Sequence, residues 1–295
     1  MASVTTSADR PGGSCASRRL PRARRRGLRG LAVQASAVAL AMSAFASQAA
    51  ATPTVALNAN LQPETLGAST NVSVGFRISA VKGQRPDQLR SFSLVLPAGM
   101  GFFSTSLGIA TCSEQMLLAE GAAACPREAT MGSGEVITEA PFGSQSFSET
   151  APASIFMTQA NDGHTTMLFY FDGSIPVIAT LVVPAEVLTP TGTSLSVISS
   201  QVPQITTAPG SEDLAILGLQ MTIGPRHIVY YKRVHGHSVP YRPAGLAIPE
   251  VCPKGGFVFG GNFSFADGSV VHNTAAVPCP AHAATRRGGR GSGRK

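Results

Sequence analysis

The sequence predicts an all-β fold, an antiparallel β-sandwich of jelly-roll or immunoglobulin-like type, with a closed barrel as the alternative. Three observations carry this expectation. Apolar residues recur with a period of two in short runs, the pattern of half-buried strands. The chain holds 31 Gly and 21 Pro but only 13% charged residues, which describes many strands joined by tight turns and not long solvated helices. Only one stretch carries the punctuation of a helix.

At the left end, Arg18, Arg19, Arg22, Arg24, Arg25, Arg26 and Arg29 run into an Ala-rich apolar stretch, Leu31 to Ala51. A basic segment, an apolar segment and small residues at its end are the parts of an export signal, so residues 1–51 read as a signal peptide cut between Ala50 and Thr52. An uncleaved anchor is the alternative, since a spanning helix needs roughly 20 mainly apolar residues. Ser17-Arg18-Arg19-Leu20 resembles a twin-arginine transport signal whose continuation is broken by Pro21.

Residues 52–282 read as the β-sandwich region. Asn71 to Ser79 sets Val72, Val74, Phe76 and Ile78 on one face and polar or small residues on the other, and Leu89 to Leu96 repeats the pattern with Phe92 and Leu94. Ser113 to Glu120 is the predicted helix, with Ser113 as N-cap, Met116, Leu117 and Leu118 as its apolar side and Gly121 as its stop. Further strands are predicted over Glu135–Ile137, Ser154–Thr158, Thr166–Phe171, Val177–Val183, Ser194–Ile198, Ala215–Ile223, Ile228–Val234, Val239–Tyr241, Phe257–Phe265 and Val270–Val277. Thr166–Phe171 and Val177–Val183 are nearly all apolar, which places them in the middle of the core. Asp162-Gly163, Asp172-Gly173 and Asp267-Gly268 read as turns, the last joining a hairpin, and His235-Gly236-His237 reads as a hairpin turn. A subdivision is placed near Gly224-Pro225. The tail, residues 283–295, is basic and Gly-rich without a core-forming residue, and is predicted to be disordered.

The net charge of +7 is confined to the ends. Residues 52–285 hold ten basic against fifteen acidic residues, so the body lacks a nucleic-acid footprint and no nucleic-acid partner is expected. With Cys15 in the signal, Cys112, Cys125, Cys252 and Cys279 remain, and four cysteines allow three connectivities. Closeness in sequence favours Cys112 with Cys125 and Cys252 with Cys279, each pair bracketing a turn-rich segment. A zinc site would need short paired spacings that neither pair has. Neither a cofactor nor a metal is expected.

The sequence lacks a nucleophile elbow, H-E-x-x-H, a P-loop, a dinucleotide fingerprint and an EF-hand loop. Gly132-Ser133-Gly134 and Gly143-Ser144-Gln145-Ser146 approach the elbow and do not fit it. Glu135 and Glu139 share a strand face, and a glycosidase needs two carboxylates roughly 5–9.5 Å apart. His235 and His237 would share a face on an extended strand but read as surface residues of a turn. Tyr230, Tyr231 and Tyr241 surround one predicted hairpin and form a candidate ligand-binding group, because sugar-binding sandwiches present aromatic faces for stacking.

Leu96-Pro97-Ala98-Gly99-Met100-Gly101-Phe102, Leu107 to Ser113, Cys125-Pro126 and Met131-Gly132-Ser133-Gly134 resemble a pattern in uncharacterised secreted proteins of actinobacteria. Cys252-Pro253-Lys254-Gly255-Gly256, Phe263 to Gly268 and Pro278-Cys279 are similar to the closing segment of the same group. The resemblance implies an exported, disulfide-bonded β domain and assigns no activity. The sequence is therefore expected to encode a non-enzymatic protein of the cell envelope or extracellular space. Its expected partner is a cell-wall polymer or glycan, and a membrane only if Leu31 to Ala51 is retained. The alternative is a carbohydrate-binding or carbohydrate-active secreted module.

Overall fold

The computed structural model describes residues 53–80, 85–102, 106–142, 145–159, 163–174, 178–189, 194–206 and 213–280. The predicted export signal, the basic tail, Asp162 and Gly143-Ser144 lie outside the described residues.

The strands, in chain order, are β1 (Thr54–Gln62), β2 (Ser69–Ser79), β3 (Leu89–Val95), β4 (Gly101–Phe102), β5 (Thr130–Phe142), β6 (Gln145–Met157), β7 (Thr165–Gly173) and β8 (Ala179–Leu188). They continue as β9 (Ser196–Ser199), β10 (Ala215–Ile223), β11 (Tyr230–Val234), β12 (His237–Tyr241), β13 (Leu246–Ala247), β14 (Phe257–Phe265) and β15 (Val270–Val277), with one helix, α1, at Glu114–Glu120. The chain is mostly antiparallel β. One sheet runs β15-β14-β3-β9-β8-β7-β6-β5-β10-β2, with β1 on β2 and the short β13 and β4 continuing from β2. At its far ends β1 lies beside β15, and the Asn273 side-chain amide donates to the Val55 carbonyl, so the sheet nearly closes on itself. The pair β11-β12 stands outside it as a separate two-stranded sheet.

The period of two decides what the sheet encloses. Val72, Val74, Phe76 and Ile78 of β2 turn inward with Phe92 and Leu94 of β3, Phe169 and Phe171 of β7, and Phe259 and Phe263 of β14. Phe76 and Phe263 come from strands distant along the sheet, yet their rings meet edge-on at 4.9 Å. That contact belongs to the packing of the enclosed core.

Where they pair with one another, strands β6 to β8 are buried on both faces. Ile155, Met157, Met167, Phe169, Leu181 and Val183 enter the main core, while the intervening Phe156, Leu168, Tyr170 and Val182 face a second cluster with Cys112, Leu117, Cys125 and Ala129. This explains the continuous apolar runs in β7 and β8. The cover is α1 with its flanking turns, clamped by the Cys112–Cys125 disulfide with Cα atoms 5.4 Å apart. Cys252 and Cys279 form the second disulfide, Cα atoms 6.0 Å apart, where the chain enters β14 and leaves β15. Both pairings match the expectation from sequence.

Ser113 caps α1 by accepting from the Met116 backbone N–H at 3.1 Å, and Gly121 ends the helix at φ 78°. Only Leu117 of the predicted apolar side is buried; Leu118 is 53% exposed and Met116 is also outside. Three consecutive helical positions spread over roughly 200°, so one of them can face inward here.

Other expectations are revised as well. Asp172-Gly173 is the end of β7, paired with Thr180 and Ala179, and not a turn. Strands β5 and β6 are 13 residues each, far longer than predicted, and β1 was not anticipated. The chain on the two sides of Gly224-Pro225 shares one sheet and one core: β14 pairs with β3, and β13 with β2. The Asp267-Gly268 hairpin forms as expected, Asp267 accepting from the Ser269 N–H at 2.8 Å. Hydrogen bonding from Ser269, side chain first and backbone second, holds the Asp267 carboxyl below its usual range. Among the described residues no helix is long and apolar enough to cross a membrane.

Candidate functional site: the β11-β12 ribbon

After β10 the chain turns at Gly224, makes one 3-10 turn over Pro225–His227 and enters β11. Register places Tyr230 opposite Tyr241, Tyr231 opposite Pro240, Lys232 opposite Val239, Arg233 opposite Ser238 and Val234 opposite His237. The two-residue turn is His235-Gly236, with φ 48° and 82°. Positive φ at both central positions is the type I′ signature, whose twist suits a tight hairpin. Pro240 is tolerated because a two-stranded ribbon has two free edges and needs few donors.

The root of the ribbon is a buried tyrosine. Tyr230 is fully buried; its hydroxyl donates to the Thr130 carbonyl at 2.6 Å and accepts from the Gly108 N–H at 3.0 Å. Burial pushes its pKa up to about 12, the Tyr241 and Glu128 charges adding to the rise and the Gly108 bond opposing it. Its ring meets that of Tyr241 edge-on at 5.9 Å. Tyr230 thus fastens the ribbon to β5 and offers no face to a ligand.

Outside the root the surface is cationic and apolar together. Tyr231 is 43% exposed, with the Arg127 guanidinium 5.8 Å from its ring centre, and the Lys232 ammonium lies 5.5 Å from the Tyr241 ring. Every residue from Tyr231 to Pro240 is exposed. Arg226, Lys232, Arg233 and Arg242 with His227, His235 and His237 crowd this segment, and Leu214 to Pro249 contains no Asp or Glu. Val229, Val234 and Val239 are exposed among them. Val234 and Val239 occupy diagonal positions on one face of the ribbon, flanked by Lys232 and His237.

Among the described residues, one hollow inside the core is too small to compete as a binding site. The hollow lined by Val74, Phe76, Leu94, Phe169 and Met221 measures about 20 Å³, whereas ligand pockets run to roughly 300–1,000 Å³. The face bearing Ser113, Glu114, Gln115, Leu118 and Ala119 is open to solvent. Glu135 and Glu139 do share the outer face of β5. Four residues of strand separate their backbones by about 13 Å. On the outer face of β14, Asn262 donates to Ser93 Oγ at 2.7 Å and its Oδ1 lies 2.5 Å from His272 Nδ1. Asn262 stands between them, so this is a hydrogen-bonded row and not a serine activated by histidine. Among the described residues no group of three or more His, Cys, Asp or Glu is gathered for a metal.

Of the residues singled out in the sequence, Tyr230 and Tyr241 meet across one face of the ribbon, Tyr231 lies on the opposite face, and His235 and His237 lie at the tip. Sequence reasoning missed Arg127 and the basic crowding. The absence of any acid from Leu214 to Pro249 was a readable signal, hidden by averaging charge over the whole body. Comparison with protein-family models, curated proteins and solved structures returns no match.

Proposed function

We propose that this chain is an exported, non-enzymatic β-protein of the cell envelope or extracellular space, acting through surface contact, with β11-β12 as its contact element. The observation that carries the reading is the ribbon itself: two strands that, among the described residues, pair with no other strand and expose cations and valines. Two disulfides suit an oxidising compartment. The Arg-rich, Ala-rich residues 1–51 supply the export signal in this reading, and kinship with the secreted actinobacterial group belongs to it. Within it, the nearly closed sheet is a sandwich whose layers face each other across Phe76 and Phe263, joined at one side by β1 and β15.

The test is intact mass with non-reducing peptide mapping on supernatant, wall and membrane fractions of the producing cells. A chain starting near Thr52 with both disulfides linked, outside the membrane fraction, is expected. A chain that retains Leu31 to Ala51 in the membrane overturns release in favour of an anchor, and a cytoplasmic chain overturns export.

A second reading, glycan binding, is favoured by one observation: the exposed Tyr231 ring backed by Arg127. Equal polysaccharide pull-down by the protein and its Tyr231→Ala variant removes it.

A further inference from the structure

We propose that the β11-β12 ribbon docks on an anionic phospholipid bilayer, its tip entering the headgroup region. This deepens the surface-contact reading and rests on it only in requiring that the ribbon meet a membrane surface. Charge complementarity names the partner's sign. Lys232 and Arg233 lie on the ribbon, Arg226 and Arg242 at its root, and Leu214 to Pro249 holds no acid within an otherwise acidic body.

The valines decide between a bilayer and a soluble anionic polymer. A polyanion is held by cations and hydrogen-bond donors alone, and would leave Val229, Val234 and Val239 in water. A bilayer interface takes both kinds of side chain: apolar groups sink toward the acyl boundary while Lys and Arg reach back to the phosphates. Val234 and Val239 form one apolar spot beside the turn, Lys232 and His237 flank it, and Tyr231 stands one step further from the tip on the opposite face. Tyrosine at that depth matches its preference for the membrane–water interface. The ribbon also has the reach. Five residues per strand give about 17 Å, against an interfacial burial of roughly 5–10 Å. Tyr230, hydrogen-bonded at both Thr130 and Gly108, holds the base rigid, so docking needs little ordering of the ribbon.

The chain contains no Trp, so Val239→Trp supplies the sole indole as a local reporter. The full chain is mixed with vesicles of phosphatidylglycerol and phosphatidylcholine, and Trp emission is followed with quenchers placed at known depths. A blue shift with shallow-depth quenching is expected. Val258→Trp, at an exposed position on the outer face of β14, should give no shift. Lys232→Gln and Arg233→Gln should each weaken the partitioning reported by the indole about fivefold, and pure phosphatidylcholine should give no shift.

Vesicle binding with an unshifted indole at 239 would overturn the proposal, because the basic ends of the chain would then be the attachment. A shift of equal size with soluble polyphosphate would overturn it in favour of a polymer partner. A shift indifferent to both Gln variants would overturn the electrostatic half. None of these outcomes bears on export, which the mass and fraction measurement reads separately.

Discussion

Replacing Tyr230 with Phe removes one oxygen atom and tests how the ribbon is fixed to the body. The hydroxyl is buried and serves two backbone groups, the Thr130 carbonyl and the Gly108 N–H. Two hydrogen bonds at about 1 kcal/mol each, with a buried donor or acceptor left short of a partner, give a loss of about 2–3 kcal/mol. For a body of this size that lowers Tm by about 5–10 °C, while Tyr231→Phe, at an exposed ring, should change stability by less than about 0.5 kcal/mol. The alkaline limb carries a second signature. Tyr230 ionises near 12 in the fold, because burial disfavours the phenolate, against about 10 in the unfolded chain. Between those values the folded protein keeps a proton that the unfolded chain releases. Its contribution is whole below pH 10 and is lost as pH rises through 12, by about 3 kcal/mol in total. Tyr170 is raised too, first by burial, but it titrates alike in both proteins and cancels in the difference. Thermal melts followed by circular dichroism from pH 7 to 12 should therefore show a gap between the protein and Tyr230→Phe that narrows above pH 10. Melting points within 1 °C of each other at pH 7, or a gap that does not change with pH, would refute the reasoning.

The remaining predictions concern the cap over β6 to β8. Cys112→Ala with Cys125→Ala opens a loop spanning 13 residues and should cost about 3 kcal/mol in denaturant unfolding; an unchanged midpoint would mean that the packing of α1 holds the cap without the crosslink. Leu117→Ala should cost about 2–5 kcal/mol, and Leu118→Ala less than about 0.5 kcal/mol. Equal losses would show that α1 is rotated about its axis relative to the packing described.

What the sequence disclosed depended on how different the two faces of each strand are. β14 and β15 have the bounds expected from alternation, since Phe259, Phe263 and Val277 face the core while their neighbours are polar, small or exposed, and β10 keeps its expected bounds although a bulge interrupts its period. Strand β1 also alternates, Val55, Leu57, Ala59 and Leu61 against Thr54, Ala56, Asn58 and Asn60, but its Ala and Asn residues blunt the contrast. The outer parts of β5 and β6 extend past the last residues paired with β7, and Ala, Ser, Pro and Glu there carry little apolar signal. The reporters of local geometry did better: Ser113 and Gly121 located α1, and His235-Gly236 and Asp267-Gly268 located two hairpins. At the candidate site the tyrosines were visible, but their unequal burial was not. Tyr230 and Tyr231 are adjacent in sequence and opposite in role because successive strand residues point to opposite faces.

The meeting of β1 with β15 has a consequence for the order of events as the chain emerges. Each flank is the open edge of a sheet, and open edges recruit other chains. β1 is the first described strand and β15 the last, so each depends on the other for shielding. A chain lacking only its final hairpin strand would present two uncovered edges at once, one on β14 and one on β1. Shielding of these two edges thus comes with the segment that Cys279 fastens behind β15.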